Sequence, residues 1–276
     1  MPKINGRSHR GIWLVFLSCL LIIAVLSGCA SAPISKDAEE SGVQDPTKDS
    51  EKKGWTLTFE DTFTGESLDN EKWQHAPEWQ RHNGQWSNQD AYLNGEGQLV
   101  IQISERDGQY YSGAIRSMGL FEQAYGYYEI RARLPIEEGL WTAFWLMSDS
   151  VHLVGNEGKD GTEIDIFESP FARYNVIEHA LHWDGYDKDH KSKGTSITVP
   201  EAYEDFTTFA LEWNEEEYIF YINDVETWRS SAGGVSQVPA YLKITAEVGD
   251  WAGDITKANL PAQMLVDYVR VYEKEQ

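Results

Sequence analysis

The stretch GTEIDIFESP, residues 161–170, decides how the rest of the chain is read. Glu163 and Asp165 stand two residues apart, and Glu168 follows three residues later. Successive side chains of a strand point to opposite faces, so Ile164 and Ile166 lie opposite Glu163 and Asp165. Strict alternation would then turn Glu168 toward the apolar side. An unpaired carboxylate there costs several kcal/mol or a large pKa shift. A β-bulge at Ile166–Phe167 removes the conflict, because one extra residue returns Glu168 to the acid face. Three acids on one face repel one another and invite a use. Two carboxylates flanking a glycosidic bond are the apparatus of retaining glycosidases, and a third between them can separate their pKa values. A bound metal ion, calcium above all, is a second use. A solvated acidic face with no chemistry is the third reading. These residues alone leave all three open.

Runs of the same kind extend in both directions. They include WTLTFED (55–61), GQLVIQIS (97–104), YGYYEIRARL (125–134), WTAFWLM (141–147), VIEHALHW (176–183), TTFALEW (207–213), YIFYIND (218–224), YLKITAEV (241–248) and MLVDYVRVY (264–272). Gly, Asn and Asp separate them, helical periodicity is almost absent, and no internal repeat is visible. Many short strands at this spacing predict an all-β sandwich or barrel. Alternation assigns the faces. Tyr128, Ile130, Ala132 and Leu134 share one face, and Ile177, His179, Leu181 and Trp183 share another. Trp141, Ala143 and Trp145 point one way, against Thr142, Phe144 and Leu146. Strands with one apolar face and one face of rings and polar groups fit two packed sheets, the inner one bending around a cleft.

The 276 residues, 41% of them hydrophobic, suffice for one large core. The 11 Trp, 14 Tyr and 10 Phe suit a large β core or a surface that stacks on flat ligands. Formal net charge is −22, and no basic stretch in the folded region offsets it, so nucleic acid is not expected as a partner. Residues 1–28 read as an export signal: Lys3, Arg7 and Arg10, then the apolar run Gly11–Leu26, then Leu26-Ser27-Gly28 before Cys29. This ending resembles the bacterial lipoprotein signal, in which the chain is cut before the cysteine and Cys29 carries the lipid. An uncleaved membrane anchor is the alternative. Either way the domain is expected outside the cytoplasmic membrane, tied to the cell envelope. Loss of Lys3, Arg7 and Arg10 takes the charge from −22 to −25. Residues 29–53 are polar and charged and read as a flexible tether, leaving 54–276 as the domain. The two cysteines, Cys19 and Cys29, both precede it, so no disulfide or thiol chemistry is expected in the fold.

The surrounding residues resemble glycoside hydrolase family 16 in its longer, bulged form of the acid signature. FEDTFTGESLDNEKW (59–73) resembles the family's opening segment, SGAIRSMGLFEQAYGYYEIRARLP (112–135) its next strands and GLWTAFWLM (139–147) the aromatic strand before the acids. DFTTFALEWNEEEYIFYINDVETW (205–228) resembles a later hairpin, and LPAQMLVDYVRVY (260–272) the closing strand. The resemblance covers nearly all of residues 55–273. It implies an antiparallel β-jelly-roll sandwich of the concanavalin A-like type, with a cleft across the concave sheet. It also implies a retaining enzyme acting on β-linked polysaccharide. Carried onto this chain, Glu163 is the nucleophile, Asp165 the assisting acid and Glu168 the general acid/base. Trp141 and Trp145 fall along the sugar-binding groove, although either is also readable as core. His182 lies near the acids or is an ordinary hydrogen-bonded histidine. Arg116 matches a basic cleft position or is a plain strand arginine. Trp86 and Trp251 read first as packing and second as rim platforms.

The chain also departs from the family. KITAEVGDWAGDI (243–255) has Thr245, Glu247 and a single Gly249 before Asp250, where relatives carry an Asn-bearing strand and a Gly-Gly pair. Glu247 is thus an additional acid, expected at the cleft. FTTF (206–209) has Thr where many relatives have His. The bulged form goes with the laminarinase, agarase and carrageenase branches. A sulfated galactan would need a basic groove, and a protein at −22 repels polyanions at long range unless a few local arginines override it. A neutral 1,3- or mixed 1,3/1,4-linked β-glucan is therefore the expected substrate. An agarase-like galactan hydrolase and a transglycosylase are alternatives. A noncatalytic carbohydrate-binding lipoprotein is another, against which the repelling acid trio speaks. A monomer without required cofactor is expected. The family admits a structural calcium ion, near Glu60 and Asp267, that no spacing demands.

Overall fold

The computed structural model describes residues 51–170 and 175–276. The signal, Cys29 and residues 29–50 of the tether lie outside the described residues. The chain forms β1 (Trp55–Asp61), β2 (Gln74–His75), β3 (Gln80–Arg81), β4 (Gly84–Trp86), β5 (Ala91–Leu93) and β6 (Leu99–Arg106). There follow β7 (Gln109–Ser112), β8 (Ala114–Arg116), β9 (Glu122–Gln123), β10 (Gly126–Arg133), β11 (Leu140–Met147), β12 (Glu163–Glu168) and β13 (Val176–Trp183). The last are β14 (Lys191–Thr198), β15 (Thr207–Trp213), β16 (Tyr218–Ile222), β17 (Val225–Ser230), β18 (Ala240–Val248) and β19 (Ala262–Lys274). Among the described residues these make two sheets. One has eleven strands in the order β17-β16-β15-β10-β19-β6-β7-β4-β3, with β1 on β19 and β5 on β6. The other has eight, β14-β13-β12-β11-β18-β8-β2, with β9 on β18. Pairing is antiparallel except between β4 and β7. This is the expected jelly-roll sandwich.

The face assignments hold because alternation is what a two-sheet core requires. Tyr128, Ile130 and Ala132 of β10 are fully buried, as are Ile177 and Leu181 of β13 and Phe144 and Leu146 of β11. They join Phe209, Val269, Ile164 and Ile244 in one core between the sheets. The opposite face of the eight-stranded sheet is left to the cleft.

The bulge lies where the acid spacing demands it. Across β11, Phe144 faces Phe167 and Trp145 faces Asp165, so Ile166 is extra. Across β13, Asp165 faces Ala180 and Glu168 faces Glu178, so Ile166 and Phe167 together oppose His179. Both bulge side chains enter the core, Phe167 against Phe209 with ring centroids 4.3 Å apart. A bulge leaves backbone groups off the ladder, and a buried carbonyl needs a donor. Fully buried His179 supplies it. Its Nδ1 lies 2.6 Å from the Ile166 carbonyl oxygen and its Nε2 2.9 Å from Thr227 Oγ1. Burial lowers its pKa to about 4, so the ring is neutral. Removing this donor leaves the carbonyl orphaned, so His179→Ala is expected to destabilise the fold by about 1–3 kcal/mol. Urea unfolding checks this: the midpoint should fall at unchanged slope, and an unmoved midpoint refutes the assignment.

Candidate active site

Four neighbouring strands of the eight-stranded sheet form the floor of the site. The central strand β12 carries Glu163, Asp165 and Glu168 on the cleft face. Its neighbours β11 and β13 add Trp141, Trp145 and His182, and β18 adds Lys243, Thr245 and Glu247. The cleft encloses about 860 Å³. Arg116, Trp86 and Trp251 also line it, so all ten residues singled out for catalysis or sugar binding meet in one cavity.

The acids differ in surroundings. Glu163 accepts a short hydrogen bond at Oε2 from the Tyr186 hydroxyl. Burial raises its pKa, while Tyr186 and the Lys243 charge oppose the rise. Asp165 is held well above the carboxylate range by burial and by its neighbours Glu163 and Glu168. His182 Nε2 stands 3.4 Å from Asp165 Oδ2, although that oxygen has no hydrogen-bond partner of good geometry. Burial, and then His190, hold His182 to about 4, so it is neutral. Its Nδ1 is 3.0 Å from His190 Nε2, and the two rings stack 5.2 Å apart. Glu168 is pushed up to about 8 by burial and by Glu163 and Glu178, against an opposing hydrogen bond from Trp141. A proton held by Glu168 at neutral pH beside a carboxylate stabilised by Tyr186 is an acid–base pair set apart by environment.

The walls resolve the double readings of the tryptophans. Trp86 is only 1% exposed, with its Nε1 donating to the Ala246 carbonyl, yet its ring faces the cleft, so it is both packing and wall. Trp145 is buried on one side and donates to Thr245 Oγ1 at 3.1 Å, which fixes its ring. Trp141 meets Trp251 edge to face at 5.1 Å, and Trp251, 39% exposed, forms the rim. A Cβ on Gly249 would come within 3.3 Å of the Trp141 ring, so glycine there keeps the platform in position. Glu247 pairs with Arg81, whose Nε and Nη2 both lie 3.1 Å from Oε1.

Several cleft residues went unread in the sequence. Lys243 shares its strand face with Thr245 and Glu247, a signal that alternation offered. Tyr186 and His190 belong to the β13–β14 loop, Arg81 ends the two-residue β3 and His82 follows in the turn, where no periodicity points. Asp184, tied to Lys191 at 2.6 Å, and Gly185, bonded to the Val151 carbonyl, anchor the Tyr186 loop.

For a metal, donor atoms of Glu163, Asp165 and His182 lie within 4.8 Å of one another. Near Glu60 and Asp267, arginines stand beside both acids. Arg270 Nε holds Glu60 at 2.9 Å, and Arg131 holds Asp267, so arginine charges already occupy that region.

The family described as Glycosyl hydrolases family 16 matches residues 77–270. A Beta-glucanase of Rhodothermus marinus is 31% identical over 245 residues, which cover 79% of this chain and 85% of that protein. A Keratan-sulfate endo-1,4-beta-galactosidase of Sphingobacterium multivorum is 29% identical over 79% of this chain, which spans only 55% of that relative's length. The solved laminarinase of Rhodothermus marinus superposes with a TM-score of 0.70 at 28% identity, covering 80% of this chain and 98% of that one.

Proposed function

Because this chain belongs to family 16 of the glycosyl hydrolases, we propose that it is a retaining endo-glycosidase cutting internal β-1,3 or mixed β-1,3/1,4 linkages of a glucan. One observation carries the reading. A bulge turns three acids onto one face of a tryptophan-walled cleft, with the proton held at the Glu168 end. Glu163 attacks the anomeric carbon while Glu168 gives its proton to the departing glycosidic oxygen. Water then enters, Glu168 takes its proton, and the bond to Glu163 breaks with net retention. Asp165 lies between the two, its pKa raised by burial and by both neighbours. Trp141, Trp145 and Trp251 wall the cleft along which the sugars lie.

A galactan is the second reading, suggested by the Keratan-sulfate endo-1,4-beta-galactosidase among the relatives. Export and lipid attachment at Cys29 belong to this proposal and rest on the Leu26-Ser27-Gly28-Cys29 ending. The test is release of new reducing ends by the full-length chain from laminarin, mixed-linked glucan and agarose. Oligosaccharides from either glucan are expected. Cleavage of agarose alone would install the second reading, and cleavage of none would sink both.

A further inference from the structure

A row of residues runs across the cleft floor from strand to strand: Asp165 faces Trp145, Trp145 faces Lys243, and Lys243 faces Arg116. Neighbouring strands are about 4.8 Å apart, so Lys243 stands about 10 Å from the acid strand and Arg116 about one strand further. That is the reach of a neighbouring sugar, not of the reacting one. The chain has 45 acidic side chains and 23 Lys and Arg, so a cation without a carboxylate is not for want of carboxylates. Yet neither Lys243 nor Arg116 forms an ion pair with a described carboxylate. Lys243 is 7% exposed, its Nζ 3.7 Å from the Trp145 ring centre and 5.0 Å from that of Trp86. Ring faces attract the ammonium but accept none of its hydrogen bonds. Arg116 Nε is buried without an acceptor, and Nη2 reaches only Gln74 Oε1 at 3.4 Å. Glu247 is committed to Arg81, and Glu163 to Tyr186.

We propose that Lys243 and Arg116 form a subsite for an anionic substituent of the glycan, a sulfate ester or a carboxylate, on a sugar next to the one cleaved. Sugar hydroxyls would satisfy hydrogen bonds here but would leave both cations without an anion at contact, whereas an anion meets both needs. Burial lowers Lys243 to about 7, and a bound anion would draw it back toward full protonation. The net charge of −22 governs approach at long range, and the cleft floor governs what is held at contact. The inference rests on the reading that a β-glycan lies across the acids and is cut there.

The experiment compares kcat/KM of the full-length chain on laminarin, lightly sulfated laminarin and lightly carboxymethylated laminarin, in low and high salt. At least one anionic form should exceed neutral laminarin by about 10-fold in low salt, with the advantage shrinking in high salt. The better of the two identifies sulfate or carboxylate as the group. In Lys243→Met, and separately in Arg116→Gln, the ratio of anionic to neutral kcat/KM should fall by about 10-fold, the loss of one desolvated charge contact. Neutral laminarin cut as well as both anionic forms, or a ratio unmoved by both substitutions, overturns the subsite alone. If no polymer is cut by the wild type or bound by Glu163→Gln, the glucanase reading falls and the subsite falls with it.

Discussion

Glu163→Gln abolishes turnover, with kcat on β-glucan expected to fall by at least about 10³-fold, the scale on which removing a nucleophile acts. The amide is nearly isosteric and still accepts the Tyr186 hydrogen bond at Oε1 or, flipped, leaves it. The fold therefore has little reason to change, because Glu163 lies on the cleft face and not in the core. What is lost is the negative oxygen that bonds to the anomeric carbon. Binding should survive, so the variant retains polymer affinity while releasing no reducing ends. Titration of laminarin against tryptophan fluorescence, beside the reducing-end assay, separates the two. Activity within about tenfold of wild type would remove Glu163 from the nucleophile role.

Glu168→Gln should lower kcat/KM on glucan by about 10²–10⁴-fold, the usual worth of a positioned general acid. The loss should depend on the leaving group. An aryl β-glycoside whose phenol departs without a proton should form the glycosyl-enzyme almost normally. Its burst is then followed by slow release, since no base remains to activate water. The wild-type pH profile follows from the same residue. Glu168 acts protonated and is raised to about 8, so activity holds through neutral pH and is lost as pH rises through that value. Glu163 acts ionised and is raised above the ordinary glutamate value, so activity is lost as pH falls through its pKa. Glu168→Gln should erase the alkaline limb and keep the acidic one. An alkaline limb that persists in this variant would assign it to another group.

The acid trio and its bulge were legible because the conflict they resolve is local. Two isoleucines set the core face, and a glutamate arriving one residue late had to be turned back. The tryptophans of β11 were legible for the same reason. His179 was assigned correctly to the core face, but its task was not visible. The carbonyl it serves belongs to the neighbouring strand, and only the pairing of β12 with β13 brings them together. Lys243 was within reach of alternation and was passed over beside Glu247. Tyr186 was beyond it, because a loop residue has no period to betray its direction.

The sequence by itself determined an all-β sandwich, the faces of its main strands and the acids that turn away from the core. These depend on the two-residue repeat of a strand and on the cost of burying a carboxylate, both settled within a few neighbours along the chain. The tertiary structure alone decided which charges meet. Arg81 and Glu247 are 166 residues apart yet share a partly buried ion pair. Lys243 and Arg116 are brought side by side by the order of strands and not by any spacing. Charge–charge and polar contacts act through space over a few ångströms, so their partners follow from sheet order, which local periodicity does not encode.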